Sequence, residues 1–165
     1  MRRFSCVVVA FLSISTCAFA TSLTAPGDIR QAVSSNGAVA TIDMLKKNDS
    51  WKRLVEEIQD GKTAWLKVVP LLRPAADEAA ADDLDKAVGQ AIKRNPSTVL
   101  RMIGQGVSAE NICKEPLEKT AASYQFRAET EKAVRRVRDH SLKEQREKCL
   151  RELYLGRGNM HAAAE

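Results

Sequence analysis

The spacing of the apolar residues is the strongest constraint on what this chain can fold into. Trp51, Leu54, Val55 and Ile58 stand at i, i+3, i+4 and i+7, which puts all four on one stripe of an α-helix. Fourteen residues on, Trp65, Val68, Val69 and Leu72 repeat the pattern. Gly61 lies between the two sets, where a helix commonly ends in the left-handed conformation. The spacing therefore predicts a helix pair. Upstream, Ala38, Thr41, Ile42 and Leu45 continue the pattern, and Asn48-Asp49-Ser50 supplies a stop and an N-cap for the next helix. Downstream, Leu84, Ala87, Val88 and Ala91 mark a longer helix that closes before Asn95-Pro96. There Asn95 can cap while Pro96 takes the first helical position, where its missing N–H costs nothing. A short helix with Val99, Leu100 and Ile103 follows, Gly104 and Gly106 break it, and Ser108 caps a further turn reaching Ile112. Two-residue alternation is almost absent, so no sheet is expected.

The region from Leu117 to Leu155 is too long and too charged for one buried helix, and Asp139-His140-Ser141 offers a turn inside it. Ser141 and Glu144 have capping-box spacing, which starts a new helix there and makes the region a helical hairpin. The expected fold is all-α. Short helical hairpins stack as a HEAT-like array or pack as an irregular bundle, with one disulfide. Residues 21–36 read as a flexible N-terminal segment, 37–155 as a single helical domain and 156–165 as a disordered tail.

Residues 1–20 read as a cleaved signal peptide. Arg2 and Arg3 precede an apolar run from Cys6 to Phe19, and Ala18-Phe19-Ala20 has the small residues a signal peptidase requires. The run is shorter than the roughly 20 residues of a membrane span. A lipoprotein reading with Cys17 at the new N-terminus is disfavoured by Thr16 immediately before it. The expected location is the periplasm, or the exterior, with the chain starting near Thr21. Loss of Arg2 and Arg3 lowers the formal charge from +5 to +3, too little to announce a nucleic-acid partner. Cys6 and Cys17 leave with the signal peptide, so Cys113 and Cys149 remain as a pair in an oxidising compartment, and one disulfide is the default. In a hairpin turning near His140, Cys149 sits about 12 Å back along the second helix, level with about residue 132. The loop after Cys113 must then fold back along the hairpin, close to its extended limit. Such a bridge would close a loop of about 35 residues and contribute roughly 3 to 4 kcal/mol by the chain-entropy argument.

Trp51, Gly61, Trp65-Leu66, Leu72, Leu84, Asn95-Pro96, Val99-Leu100, Ile112-Cys113 and Cys149-Leu150 carry a resemblance. In these the chain resembles a loose group of small exported helical proteins of Gram-negative bacteria. The resemblance covers most of the mature chain and implies a helical fold with a disulfide; it implies no activity. The chain departs from the group at Lys114-Glu115-Pro116-Leu117-Glu118, where similar chains carry a more apolar segment.

Residues that could carry chemistry are few. His140 falls at a turn and His161 in the tail, and with both cysteines paired the ligand supply for a metal is gone. No arrangement for nucleophilic or acid–base catalysis and no cofactor motif stands out. Glu78, Asp82 and Asp85, within the cluster Asp77, Glu78, Asp82, Asp83 and Asp85, could share a helical face for a divalent cation. A solvated face near a helix N-terminus is the preferred reading. Trp51 and Trp65 are expected as core anchors. Arg135, Arg136, Arg138, Lys143 and Arg146 form the candidate binding face. It is interleaved with i,i+4 pairs: Arg127–Glu131, Glu131–Arg135, Glu144–Lys148 and Glu147–Arg151. The expected function is a monomeric, non-enzymatic interaction protein that binds an envelope or secreted protein, of the inhibitor or immunity type. The alternative is a small-molecule or lipid carrier with a groove lined by Trp65, Leu72 and Leu84.

Overall fold

A computed structural model describes residues 23–114 and 120–158. The expected signal peptide, Cys6, Cys17, His161, most of the expected tail and the departing segment 115–119 lie outside the described residues. The described chain is all-α, with one disulfide joining Cys113 to Cys149. Helix lengths run from four residues to sixteen, an uneven set with no constant repeat length.

Helix α1 (Pro26–Asn36) occupies ground expected to be flexible. Pro26 takes the first helical position, and the Asp28 carboxylate accepts the Ala25 N–H at 3.1 Å, satisfying a donor the helix itself leaves open. Leu23, Ile29 and Ala32 then bury against α2 (Ala38–Lys47) and the single turn α5 (Val69–Leu72), which is what orders the segment. In α2, Thr41, Ile42 and Leu45 are buried as their spacing predicts. The stop at Asn48-Asp49-Ser50 holds, but the side chain of Asp49 makes no cap; it turns the chain at φ +53°, a conformation Asp tolerates better than most residues.

Helix α3 (Ser50–Gln59) closes as the sequence predicts. Gly61 sits at φ +72°, its N–H donating to the Ile58 carbonyl at 2.8 Å and the Lys62 N–H to the Glu57 carbonyl at 3.4 Å. These two bonds are the pair that satisfies a helix's last carbonyls around a left-handed residue.

The second member of the expected helix pair is not one helix. It divides into α4 (Thr63–Leu66) and α5, followed by a 3₁₀ turn at Arg73–Ala75. Pro70 is the cause: without an N–H it cannot bond the Leu66 carbonyl four residues back. The chain tightens around it, with Val68 N–H to the Trp65 carbonyl and Leu71 N–H to the Val68 carbonyl, both at 3.1 Å. Trp65, Val68, Val69 and Leu72 are nevertheless all buried. The periodicity located the buried face, and proline set where the helix breaks.

Helix α6 (Glu78–Ala91) is the spine. Asp77 caps it, accepting the Ala80 N–H at 2.8 Å. Leu84, Ala87, Val88, Gly89 and Ala91 are buried because α6 is covered by α3 on one flank and by α8 (Ala109–Cys113) on another. Asn95 caps α7 (Pro96–Met102) through the Thr98 N–H, and its amide also donates to the Gly61 carbonyl and to Thr63 Oγ1, both at 2.9 Å. One residue thus starts α7 and clamps the turn before α4. Ser108 caps α8 through the Asn111 N–H at 3.2 Å, as the sequence indicates.

Helices α9 (Ala121–Arg136) and α10 (Lys143–Gly158) form the expected hairpin. The cap at the turn differs from the expected one. Asp139, not Ser141, accepts the Ser141 N–H at 3.0 Å, and a 3₁₀ turn at His140–Leu142 leads into α10. Helix α10 continues to Gly158, past the expected end at Leu155. Because α8 packs on α10, Cys113 meets Cys149 with their Cα atoms 5.3 Å apart.

Gly89 lets α8 approach. A Cβ built at this position would stand 2.9 Å from the Ile112 carbonyl oxygen, closer than side-chain carbons sit to backbone. In an open helix Gly→Ala stabilises by about 1 kcal/mol through propensity. Here Gly89→Ala is expected to destabilise by about 1–3 kcal/mol, the range for forced overpacking, in chemical denaturation.

Candidate interaction surface

The candidate face is built at the end of the α9–α10 hairpin. Val137 and Leu142 are buried plugs, one on either side of the turn, and they seat it against α7. With these two inward, Arg136, Arg138, His140, Ser141 and Lys143 are left exposed. Two bonds fix the path. The Arg146 guanidinium donates to the Val137 carbonyl at 2.8 Å, and Arg101 of α7 pairs with Asp139 at 2.7 Å.

The five cations named from sequence separate into two groups. Arg135 donates to Glu131 Oε1 at 2.9 Å and to the Tyr154 hydroxyl, and its guanidinium lies 5.9 Å from the Tyr154 ring centroid, within cation–π range. Arg146 is half-buried and holds the turn. Arg136, Arg138 and Lys143 are exposed, with no hydrogen-bond or ion-pair partner among the described residues. Of the expected i,i+4 pairs, Glu131–Arg135 is formed at 2.9 Å and Glu144–Lys148 at 2.8 Å.

Asp139, expected only as part of the turn, organises this end. Its Oδ1 accepts both the N–H and the hydroxyl of Ser141, and its Oδ2 accepts from Arg101. The Ser141 hydroxyl, then Arg101, then the Ser141 N–H hold the Asp139 carboxyl below the usual aspartate range. The available signal was local: an Asp two residues before a Ser at a helix start is a capping pattern in its own right.

The acidic cluster disperses into structural roles. Asp85 is buried, not on a solvated face: Arg73 grips it with Nε at 2.9 Å and Nη2 at 2.8 Å, and the Asn111 amide adds a bond at 2.9 Å. Asp77 caps α6 and pairs with Lys46, Asp82 pairs with Lys86, and Asp83 accepts the Trp51 indole N–H at 2.9 Å. Glu78 and Asp82 line an open groove at the start of α6 with Arg73, Asp85 and Asn111. Among the described residues no group of His, Cys, Asp or Glu is placed to hold a metal ion. Trp65 is a core residue, whereas Trp51 is half-buried at the surface, with Lys46 5.7 Å from its ring. Trp65, Leu72 and Leu84 all lie inside the shared core, with Leu72 and Leu84 fully buried.

No protein-family model matches the chain, and neither does any curated protein or solved structure.

Because the folded-state pKa of Asp139 is depressed, its contribution is present above the unfolded value of about 3.9 and is lost as pH falls through the lower folded value. In a carbon-detected NMR titration, the Asp139 carboxyl should titrate below the ordinary aspartate range. Ser141→Ala should raise the midpoint back toward that range, since the hydroxyl bond is the largest single cause of the displacement. An unchanged midpoint in Ser141→Ala would refute the assignment.

Proposed function

We propose that this chain is an exported, non-enzymatic protein that acts by binding another macromolecule through the end of its α9–α10 hairpin. The single observation carrying the proposal is the set Arg136, Arg138 and Lys143, exposed and unpartnered among the described residues on a turn that is otherwise bonded and plugged. A turn whose backbone is already held loses little backbone freedom on binding, and the cost is confined to ordering the exposed side chains. Residues 1–20, with their basic start, apolar run and Ala-Phe-Ala end, support export to the periplasm or beyond. The Cys113–Cys149 bond is compatible with that compartment. Among the described residues no helix is long and apolar enough to cross a membrane. The biological role that fits such a surface is that of an inhibitor or immunity-type partner of an envelope enzyme, with the chain itself a monomer.

A photocrosslinking residue at position 136, 138 or 143, in protein produced from the full chain in cells, should give a discrete adduct in the periplasmic fraction. The same residue at Lys52 or Lys67, exposed positions on α3 and after α4, should not. Arg136→Glu combined with Arg138→Glu should abolish the adduct formed from position 143. Equal adducts from all positions, or an adduct indifferent to charge reversal, would remove the proposal.

A further inference from the structure

The chemistry of the hairpin end narrows its partner. Asp139 is the only acid between Arg136 and Lys143, and Arg101 neutralises it from α7. Without that pair a carboxylate would stand between Arg138 and Lys143 and cancel part of their field. Arg101 therefore leaves the turn wholly cationic without touching a ligand itself.

Two arrangements could exploit such a turn: a continuous anionic surface, or discrete carboxylates on a protein. Glu144 is paired with Lys148, but Glu147 is exposed on α10 beside the turn without an ion pair among the described residues, and a uniformly negative plane would repel it. The exposed apolar side chains Tyr124, Tyr154 and Leu155 lie toward the other end of the hairpin. Leu155 is about 18 Å along α10 from Lys143, so the cations and the groups able to enter a bilayer do not share an end. No Phe, Tyr or Trp stands between Arg136 and Lys143, and His140 alone is a small platform on which to stack a base. Guanidinium groups, in contrast, match carboxylates with two parallel bonds.

We propose that the end of the α9–α10 hairpin docks an acidic face of another protein, with Arg136, Arg138 and Lys143 meeting its carboxylates and Arg101 acting as a positioning residue through Asp139. The proposal rests on the hairpin end being the binding surface and names the chemistry of what it binds. Association is steered by charge, so it weakens as ionic strength rises.

The test uses the disulfide-bonded protein, ¹⁵N-labelled, in NMR titrations with three probes: a synthetic glutamate-rich peptide, phosphatidylglycerol vesicles, and inorganic phosphate. The peptide should shift the amides of residues 136–143 and leave those of Lys47, Lys52 and Lys67 in place. Arg136→Glu with Arg138→Glu should weaken it by about tenfold or more, with unchanged thermal unfolding. Arg101→Met should weaken it severalfold, and adding Asp139→Asn should restore it, because the exposed charge is then gone while Asn still caps. Failure of the double variant to restore binding would overturn the positioning role of Arg101. Shifts at 136–143 from vesicles or phosphate but not from the peptide would overturn the acidic-protein partner and leave the surface standing. Shifts spread evenly over all exposed lysines, or none from any probe, would overturn the surface as well.

Discussion

The structure depends on how closely α8 lies on α6. A helix of five residues contributes little stability of its own, since its nucleation is hardly repaid. It is held because three consecutive side chains or backbone groups each engage a different anchor. Asn111 donates to Asp85, which Arg73 also grips; the Ile112 backbone rests on Gly89; and Cys113 is bonded to Cys149 of α10. Helix α8 thereby joins the spine to the terminal hairpin. The Arg73–Asp85 pair, buried on the aspartate side, fits the same logic. An isolated carboxylate at this depth would be costly, and it is accommodated by a two-point guanidinium contact and an amide that together satisfy it.

The hairpin needs that attachment. The inward face of α9 offers Ser123, Thr130, Ala133 and Val134, a thin apolar set for a helix of sixteen residues. Cys149 and Leu153 give α10 a firmer footing, and Val137 and Leu142 seat the turn on α7. Over the 36-residue separation of the two cysteines, the chain-entropy argument assigns the bond roughly 3 to 4 kcal/mol, a large share of a small domain's stability. The cationic turn is therefore carried by a hairpin anchored at the turn itself, through Arg101–Asp139 and the Arg146 bond to Val137, and along α10 through Cys149.

Most of the buried face was legible in the sequence because burial follows the helical period whether or not the helix is continuous. Trp65, Val68, Val69 and Leu72 are buried across a break, and Pro70 names that break. Helix α1 is hard to read from sequence because its apolar stripe is short, although the starting signals, Pro26 and Asp28, are present. What the sequence could not show is which charges are spoken for. Asp85 looks like its neighbours, and its partners stand 12 and 26 residues away, brought there by the path of α5 and α8. At the turn the same limit applies: Arg146 and Arg136 are equally basic on paper, yet one holds a carbonyl and the other faces solvent. Pairings of this kind belong to tertiary geometry, not to local pattern.

The most direct measurement is amide hydrogen exchange with the Cys113–Cys149 bond intact and after its reduction under otherwise native conditions. If α8 ties the hairpin to the body, reduction should lower protection in α9 and α10, on the order of a hundredfold, while α3 and the α3-facing side of α6 keep theirs. Unchanged protection in α9 and α10, or an equal loss in α3 and α6, would contradict it.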